Sequence, residues 1–381
     1  MDMTPPRAVL VRSARGIAAA DRLPSNVGRA SRVHALIDAL GLGGLAQVVE
    51  PAAATDAELA AFHSEEFIRR VTGSDCGGGS DCGGGSDSDS DGGSFGLADD
   101  CAPFAGMGEH VRLAAGGTLA AAAAVVGGAQ VAMHWEGGRH HAARARAAGF
   151  CYVNDAVLGI LRLQDAFARV LYVDLDAHHG DGVQDAFAFS RRVMTLSVHV
   201  AERGFYPGSG AAADEGRGRG AGHSLNLPLQ RGASDSRFAR ALEPVLAAAV
   251  GSFRPQAVVV QCGCDGLGGD PTRALNLTPD ALVRAVRGVL AWRLPTVLLG
   301  GGGYSHANAA RCWARLTAVA CGADVAAAAD VPDHAFLADY APAFDMRVDA
   351  TLAPDENSDA SVDAAAARVL AALAAHASRS P

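Results

Sequence analysis

The segment VLYVDLDAHHGDGV, residues 170–183, places Asp174, Asp176 and His178 two residues apart. Side chains along a strand alternate between its faces, so residues two apart share a side. A strand that ends here and gives way to a loop can aim Asp176 and His178 at one point. A second apolar run, VVVQCGC, is followed by Asp265, which can bring a third ligand from another strand. Two carboxylates and one imidazole leave coordination positions open. That is the pattern of a catalytic zinc site, with three protein ligands and room for water and substrate. The donors are harder than thiolates, so zinc and ferrous iron both suit them. Alone, an Asp-x-His pair is common in surface loops. Here it stands beside a second histidine and further acids.

His140 and His141 follow MHWEGGR. Adjacent histidines at a strand end can act as metal ligands or as a general acid–base pair. Asp174 and Asp181 are not needed by the metal. Each can accept a ring N–H from one histidine and fix its tautomer and charge. Tyr304 closes TVLLGGGGY. The run ending in Gly302 and Gly303 permits unusual backbone angles and close approach to a bound substrate. No lysine follows at phosphate-loop spacing, so a phosphate cradle is disfavoured. A tyrosine on such a loop can donate a hydrogen bond to a carbonyl oxygen as negative charge develops there.

These groups need elements to carry them. Short β-branched or aliphatic runs occur at Val9–Val11, Val131–Trp135, Val170–Val173, Val193–Val198, Ala257–Gln261 and Val297–Leu299. They are apolar on both faces, as central strands of a parallel sheet are. Amphipathic stretches at Asp155–Ala168, Asp235–Val250 and Thr278–Trp292 lie between them, the last with Thr278 as N-cap and Pro279 at the first helical position. The alternation predicts a doubly wound α/β domain. The glycine-rich and polar clusters follow the strands, and open α/β sheets bind ligands at the carboxyl ends of their strands. Distant segments therefore converge on one pocket. One catalytic domain is expected over residues 7–375, with flexible termini at 1–6 and 376–381. It is interrupted at 72–94 by an acidic insert in which GSDCGG occurs twice. Gly, Ser and Asp bury too little apolar surface to fold.

Composition narrows the function. The chain has 381 residues and a net charge of -9, which argues against nucleic-acid binding through phosphates. It is compatible with a basic protein substrate, or simply with solubility. No apolar run approaches the roughly 20 residues of a membrane span, and the first residues lack the order of a secretory signal. The expected location is the nucleus, the cytoplasm or both. Eight cysteines show no framework spacing and are expected to be reduced.

The runs HHA, GFCYVNDAVLGILRL, VLYVDLDAHHGDGVQDAF, VMTLSVH, FYPGSG, QCGCD and GGGGY…ARCW resemble the class I zinc-dependent histone deacetylases, within them the histone deacetylase 8 subgroup. The resemblance spans nearly the whole chain. It implies a single-domain arginase–deacetylase α/β fold around an eight-stranded parallel sheet with helices on both faces. It also implies hydrolysis of N6-acetyl-lysine in histones or other proteins. Asp176, His178 and Asp265 match the metal ligands. His140 and His141, with Asp174 and Asp181, match the catalytic pairs, and Tyr304 matches the catalytic tyrosine. Gly149 and Phe150 match one wall of the acyl-lysine tunnel, and Tyr206 takes the facing position, where the family usually has Phe. Asp100, in preference to Asp99, matches the acid that grips the substrate backbone, and Gly302 and Gly303 join the substrate-binding set. Arg29 matches an arginine of an inner acetate channel. The resemblance adds a potassium site at Asp174, Asp176, His178, Ser197 and Val198. Thr272 stands where the subgroup usually has Met. The chain lacks the long tail of corepressor-bound members, so activity without a corepressor partner is expected. The alternatives are deacetylation of small acetylated amines such as polyamines, a two-manganese arginase-like enzyme, and a catalytically weak acetyl-lysine binder.

Overall fold

The six runs named above all form strands, and two more complete the sheet. The computed structural model describes residues 8–73 and 95–377. Its strands are β1 (Ala8–Val11), β2 (Gln47–Val49), β3 (Val131–His134), β4 (Val170–Asp174), β5 (Val193–Val200), β6 (Ser224–Leu229), β7 (Ala257–Gln261) and β8 (Thr296–Leu299). They lie in the order β2-β1-β3-β8-β7-β4-β5-β6, and every neighbouring pair is parallel. This is the α/β architecture expected, with eight strands. The two strands not foreseen are the two edges. β2 is three residues long and partly exposed. β6 carries Pro228, which an edge tolerates because one side of its backbone has no partner.

Alternation builds two cores from one sheet. Leu10, Met133, Leu171, Val173, Leu196, Val258, Val260 and Leu298 face one core. Val9, Ala132, Val170, Tyr172, Val259, Val297 and Leu299 face the other. The first is covered by the helices Arg29–Ala39, Asp235–Phe253, Pro279–Leu290, His306–Ala320 and Asp359–Ala377. The second is covered by Met107–Val126, Asp155–Leu163 and Asp181–Phe187. Each fully buried Val, Leu or Ile contributes about 1.5–3 kcal/mol of transfer free energy. Thr278 does cap its helix, its side chain accepting from Asp280 N, with Pro279 at the first position.

The boundaries shift slightly. The sequence expectation starts the insert at residue 72, whereas Thr72 belongs to the helix Glu65–Thr72, with Gly73 at its C-cap. Residues 74–94 lie outside the described residues, as does the terminus at 1–6. The C-terminal flexible segment was placed from 376, yet the last helix runs to Ala377. Among the described residues no helix is long and apolar enough to cross a membrane. Cys101, Cys151, Cys262, Cys264 and Cys312 are free and buried, and Cys321 is free and partly buried.

His63 and His110 are buried within this framework. Burial lowers His63 to about 4. Burial, with the charge of Arg139, lowers His110 to about 3. Above about pH 6.5 both are neutral in the folded and unfolded chain alike. Below it only the unfolded chain takes up their protons, so stability is lost as pH falls through the window down to the folded values. The slope is up to about 1.4 kcal/mol per pH unit per histidine. The urea midpoint should therefore drop between pH 7 and pH 5, and drop less in His110→Gln. Equal drops in the two proteins would contradict this account.

Candidate active site

Four adjacent strands end at the site, β3, β8, β7 and β4. β4 finishes on Asp174, and the loop beyond carries Asp176 and His178. The loop after β7 carries Asp265, the loop after β8 carries Tyr304, and the loop after β3 carries His140 and His141. Asp176, His178 and Asp265 bring one ligand atom each to within 4.8 Å of one another. Among the described residues they are the group arranged to hold a metal ion.

The polar contacts fit a cation. Asp176 Oδ2 accepts from Gln261 Nε2 at 2.8 Å and Gly302 N at 2.9 Å. Asp265 Oδ1 accepts from Ala177 N at 2.9 Å. Asp176 Oδ1 accepts from His178 N at 3.0 Å. Asp176 Oδ1 and Asp265 Oδ2 also face the same ring atom, His178 Nδ1, at 3.1 and 2.8 Å. One N–H cannot serve two carboxylates fully, whereas a divalent cation between the three atoms would. Electrostatics agrees. Burial disfavours charge on His178, but Asp265 and Asp176 outweigh it and raise the imidazole to about 11. Burial, then the charge of Asp176, raises Asp265 to about 7. The pocket favours positive charge between these carboxylates.

Each histidine of the pair meets a carboxylate. His140 Nδ1 lies 2.8 Å from Asp174 Oδ2, and His141 Nδ1 lies 2.7 Å from Asp181 Oδ1. Their rings are 3.9 Å apart. The two environments differ. Asp174 is fully buried and also accepts from Tyr172 Oη at 2.7 Å, while the Asp181 side chain is 26% exposed. Burial opposes charge on both rings. For His140, Asp174 and Asp176 win and raise it to about 9. For His141, burial and the charge of His140 win over Asp181 and lower it to about 4. A cation on the three ligands would repel both imidazolium forms and push both values down.

Gly149, Phe150, Gly302 and Tyr304 line the cavity beside both histidines and the ligands Asp176 and His178. A Cβ on Gly149 (φ +54) would sit 2.4 Å from His141 Cδ2 and 2.9 Å from Tyr206 Cε1, so only glycine allows that approach. Phe150 follows with φ 62, a strained angle for a bulky residue, and meets the Tyr304 ring edge-on at 5.8 Å. Tyr206 is 40% exposed and meets His141 at 4.9 Å. Burial raises the Tyr304 phenol well above its ordinary range, so it carries its proton. Gly303 contributes differently, since its carbonyl accepts from Arg29 Nη1 at 2.9 Å. Arg29 lines an adjoining inner cavity with Asn26, Glu136, Arg139 and Trp313. Burial, then the charge of Arg139, lowers it to about 10. Asp100 Oδ2 accepts from Gly149 N at 3.0 Å, while Asp99 adopts a left-handed backbone. Ser197 pairs in register with Asp174, and Val198 follows it. A wider groove at the start of β3, lined by Gln130, Arg287 and Asp324, lies at the opposite end of the sheet from these groups. Its Arg287 is paired with Asp324 at 2.8 Å.

Three residues escaped the sequence reading. Phe205 stacks on the His178 ring, 4.9 Å away and nearly parallel. Gln261 holds Asp176. Asp270 accepts from Tyr304 N. Gln261 had a visible signal, a polar residue closing the apolar strand AVVVQ. Phe205 stood beside Tyr206, and nothing in the run favoured one ring over the other.

The chain is similar to known proteins over most of its length. The histone deacetylase domain matches residues 23–320. Histone deacetylase 8 of Xenopus tropicalis is 41% identical over 351 residues, covering 92% of this chain and 93% of the relative. Histone deacetylase 8 of Danio rerio is 40% identical, covering 92% and 90%. Histone deacetylase 9 of Arabidopsis thaliana is 36% identical, covering 85% and 75%. With a buried Asp–His–Asp cluster and two Asp-supported histidines at one end of a parallel sheet, the chain belongs to the histone deacetylase family.

Proposed function

We propose that the protein hydrolyses N6-acetyl-lysine in histones or other proteins, with one divalent cation, releasing acetate and free lysine. The lysine deacetylase activity follows from the family. The observation that carries the finer reading is the convergence of Asp176, His178 and Asp265 beside the histidine pair. These three residues would hold the metal, zinc or ferrous iron. When bound, it supplies Lewis-acid polarisation of the acetyl carbonyl and lowers the pKa of nearby water.

The chain's own groups do the rest. His141, supported by Asp181, takes a proton from the attacking water and later gives one to the lysine amine. His140, supported by Asp174 and packed nearer Asp176, is its electrostatic partner. Tyr304 keeps its phenol proton and donates a hydrogen bond to the acetyl oxygen as negative charge grows there. Gly149, Phe150 and Tyr206 form the acyl-lysine tunnel, closed below by Gly302 and Gly303. Asp100 grips the substrate backbone. Arg29 draws acetate toward the inner cavity. Asp174, Asp176, His178, Ser197 and Val198 form a potassium site that stiffens the loop after β4. No corepressor partner is needed, because every acid, base and ligand named here belongs to this chain. A basic tail suits a protein of net charge -9, and such substrates put the enzyme in the nucleus, the cytoplasm or both.

Metal-loaded protein should deacetylate a fluorogenic acetyl-lysine peptide, and a hydroxamate chelator should stop it. Turnover of acetylpolyamine but not peptide would shift the substrate class. Failure on both, with metal present, would leave a silent binder. Tyr304→Phe should lower kcat by about 10²–10³, and His141→Ala by about 10²–10⁴, each with metal content near normal. Unchanged turnover in either would remove that residue from the chemistry. Asp265→Ala should lose the metal, as read by elemental analysis, and stoichiometric retention would count against Asp265 as a ligand.

A further inference from the structure

Tyr304 sits at the end of a four-glycine loop, where the backbone has the greatest freedom to lose. Gly301 and Gly303 adopt φ of 151° and 127°. Side-chain packing alone does not fix such a segment, so its backbone groups must be tied. Gly302 N goes to Asp176 Oδ2 at 2.9 Å, and Gly302 O accepts from Cys264 N at 2.9 Å. Gly303 O accepts from Arg29. The last two ties fall on one carboxylate. Asp270 Oδ2 accepts from Tyr304 N at 2.7 Å and from Ser305 N at 3.2 Å.

Asp270 is 2% exposed. Among the described residues no Arg or His forms an ion pair with it, so backbone N–H groups and one hydroxyl carry its charge. Its other oxygen accepts from Thr272 N at 2.9 Å and lies 2.8 Å from Thr272 Oγ1. The same hydroxyl lies 2.8 Å from the carbonyl of Asp265. Its single proton chooses between the two acceptors. Ser305 occupies the N-cap position of the helix His306–Ala320 without a side-chain capping bond, and the N-terminal dipole of that helix favours a negative charge there. Asp270 and Thr272 therefore connect the backbone of Asp265 to the backbone of Tyr304.

We propose that Asp270 is the positioning residue for Tyr304, holding the amide so that the phenol reaches the carbonyl oxygen, with Thr272 locking the carboxylate rotamer. This rests on the role given to Tyr304 above. Displacing a reacting group by about 1 Å can cost on the order of 10²-fold in rate.

A double-mutant cycle tests the proposal with the metal-loaded, full-length protein. Asp270→Asn should lower kcat by about tenfold to a hundredfold, with KM and metal content near those of the parent. In a Tyr304→Phe background the same substitution should change kcat by less than about twofold, because the group it positions is gone. A purely structural role would multiply the two losses. Multiplying losses, or an unchanged kcat in Asp270→Asn, would overturn the clamp. A normal kcat in Tyr304→Phe alone would instead overturn the role of Tyr304, and the clamp with it. Should Asp270→Asn fail to fold, Thr272→Val runs the same cycle. It keeps every charge, and its expected fall is about fivefold, one hydrogen bond's worth.

Discussion

Three carboxylates, Asp174, Asp176 and Asp265, are buried to within 1% of full enclosure at one end of the sheet. An ionised carboxylate taken out of water costs several kcal/mol unless it is paired and hydrogen-bonded. Much of the local architecture answers that cost. Tyr172, His140 and the amide of Asp176 serve Asp174. Gln261, Gly302 and the amide of His178 serve Asp176, and Ala177 serves Asp265. Asp265 Oδ2 and Asp176 Oδ1 both turn toward the His178 ring. The remaining demand for positive charge suits the cluster to a cation, and it constrains the neighbours. A Cβ on Gly302 would come 2.3 Å from Asp265 Oδ2, so that position is closed to any side chain.

The sheet makes the burial affordable. Eight parallel strands, with helices on both faces, set two apolar cores beneath the loops at their carboxyl ends. Because β3, β8, β7 and β4 are neighbours, four loops distant in sequence open onto the same space. The division of labour follows from this order. The loop after β4 and the loop after β7 carry the Asp–His–Asp cluster, the loop after β3 carries the histidines, and the loop after β8 carries the tyrosine. Asp270 then joins the second of these loops to the last.

Much of this was legible in the residues. Period-two spacing placed Asp174, Asp176 and His178 together, and apolar runs marked the six inner or near-inner strands. His140 and His141 lie against Asp174 and Asp181, and Asp176, His178 and Asp265 lie close together, contacts that the sequence spacing allows. The edge strands were not legible. β2 has three residues and little burial, and β6 carries a proline and polar residues, so neither has the signal of a buried strand. Helix ends blurred for the same reason: Thr72 reads as the start of a polar linker, yet its hydroxyl bonds back to Ile68 O and extends the helix. Gln261, Phe205 and Asp270 act through contacts between segments, which a linear reading does not contain. The tunnel residues proposed, Gly149, Phe150 and Tyr206, rest on the resemblance of the motifs, because spacing alone does not name them.

The central claim is that one cation organises this end of the sheet through Asp176, His178 and Asp265. Anomalous diffraction at the zinc edge, on crystals of zinc-loaded protein, addresses it directly. The account predicts a single strong peak within bonding distance of those three side chains. A peak away from them, or two peaks sharing the acids, would contradict it.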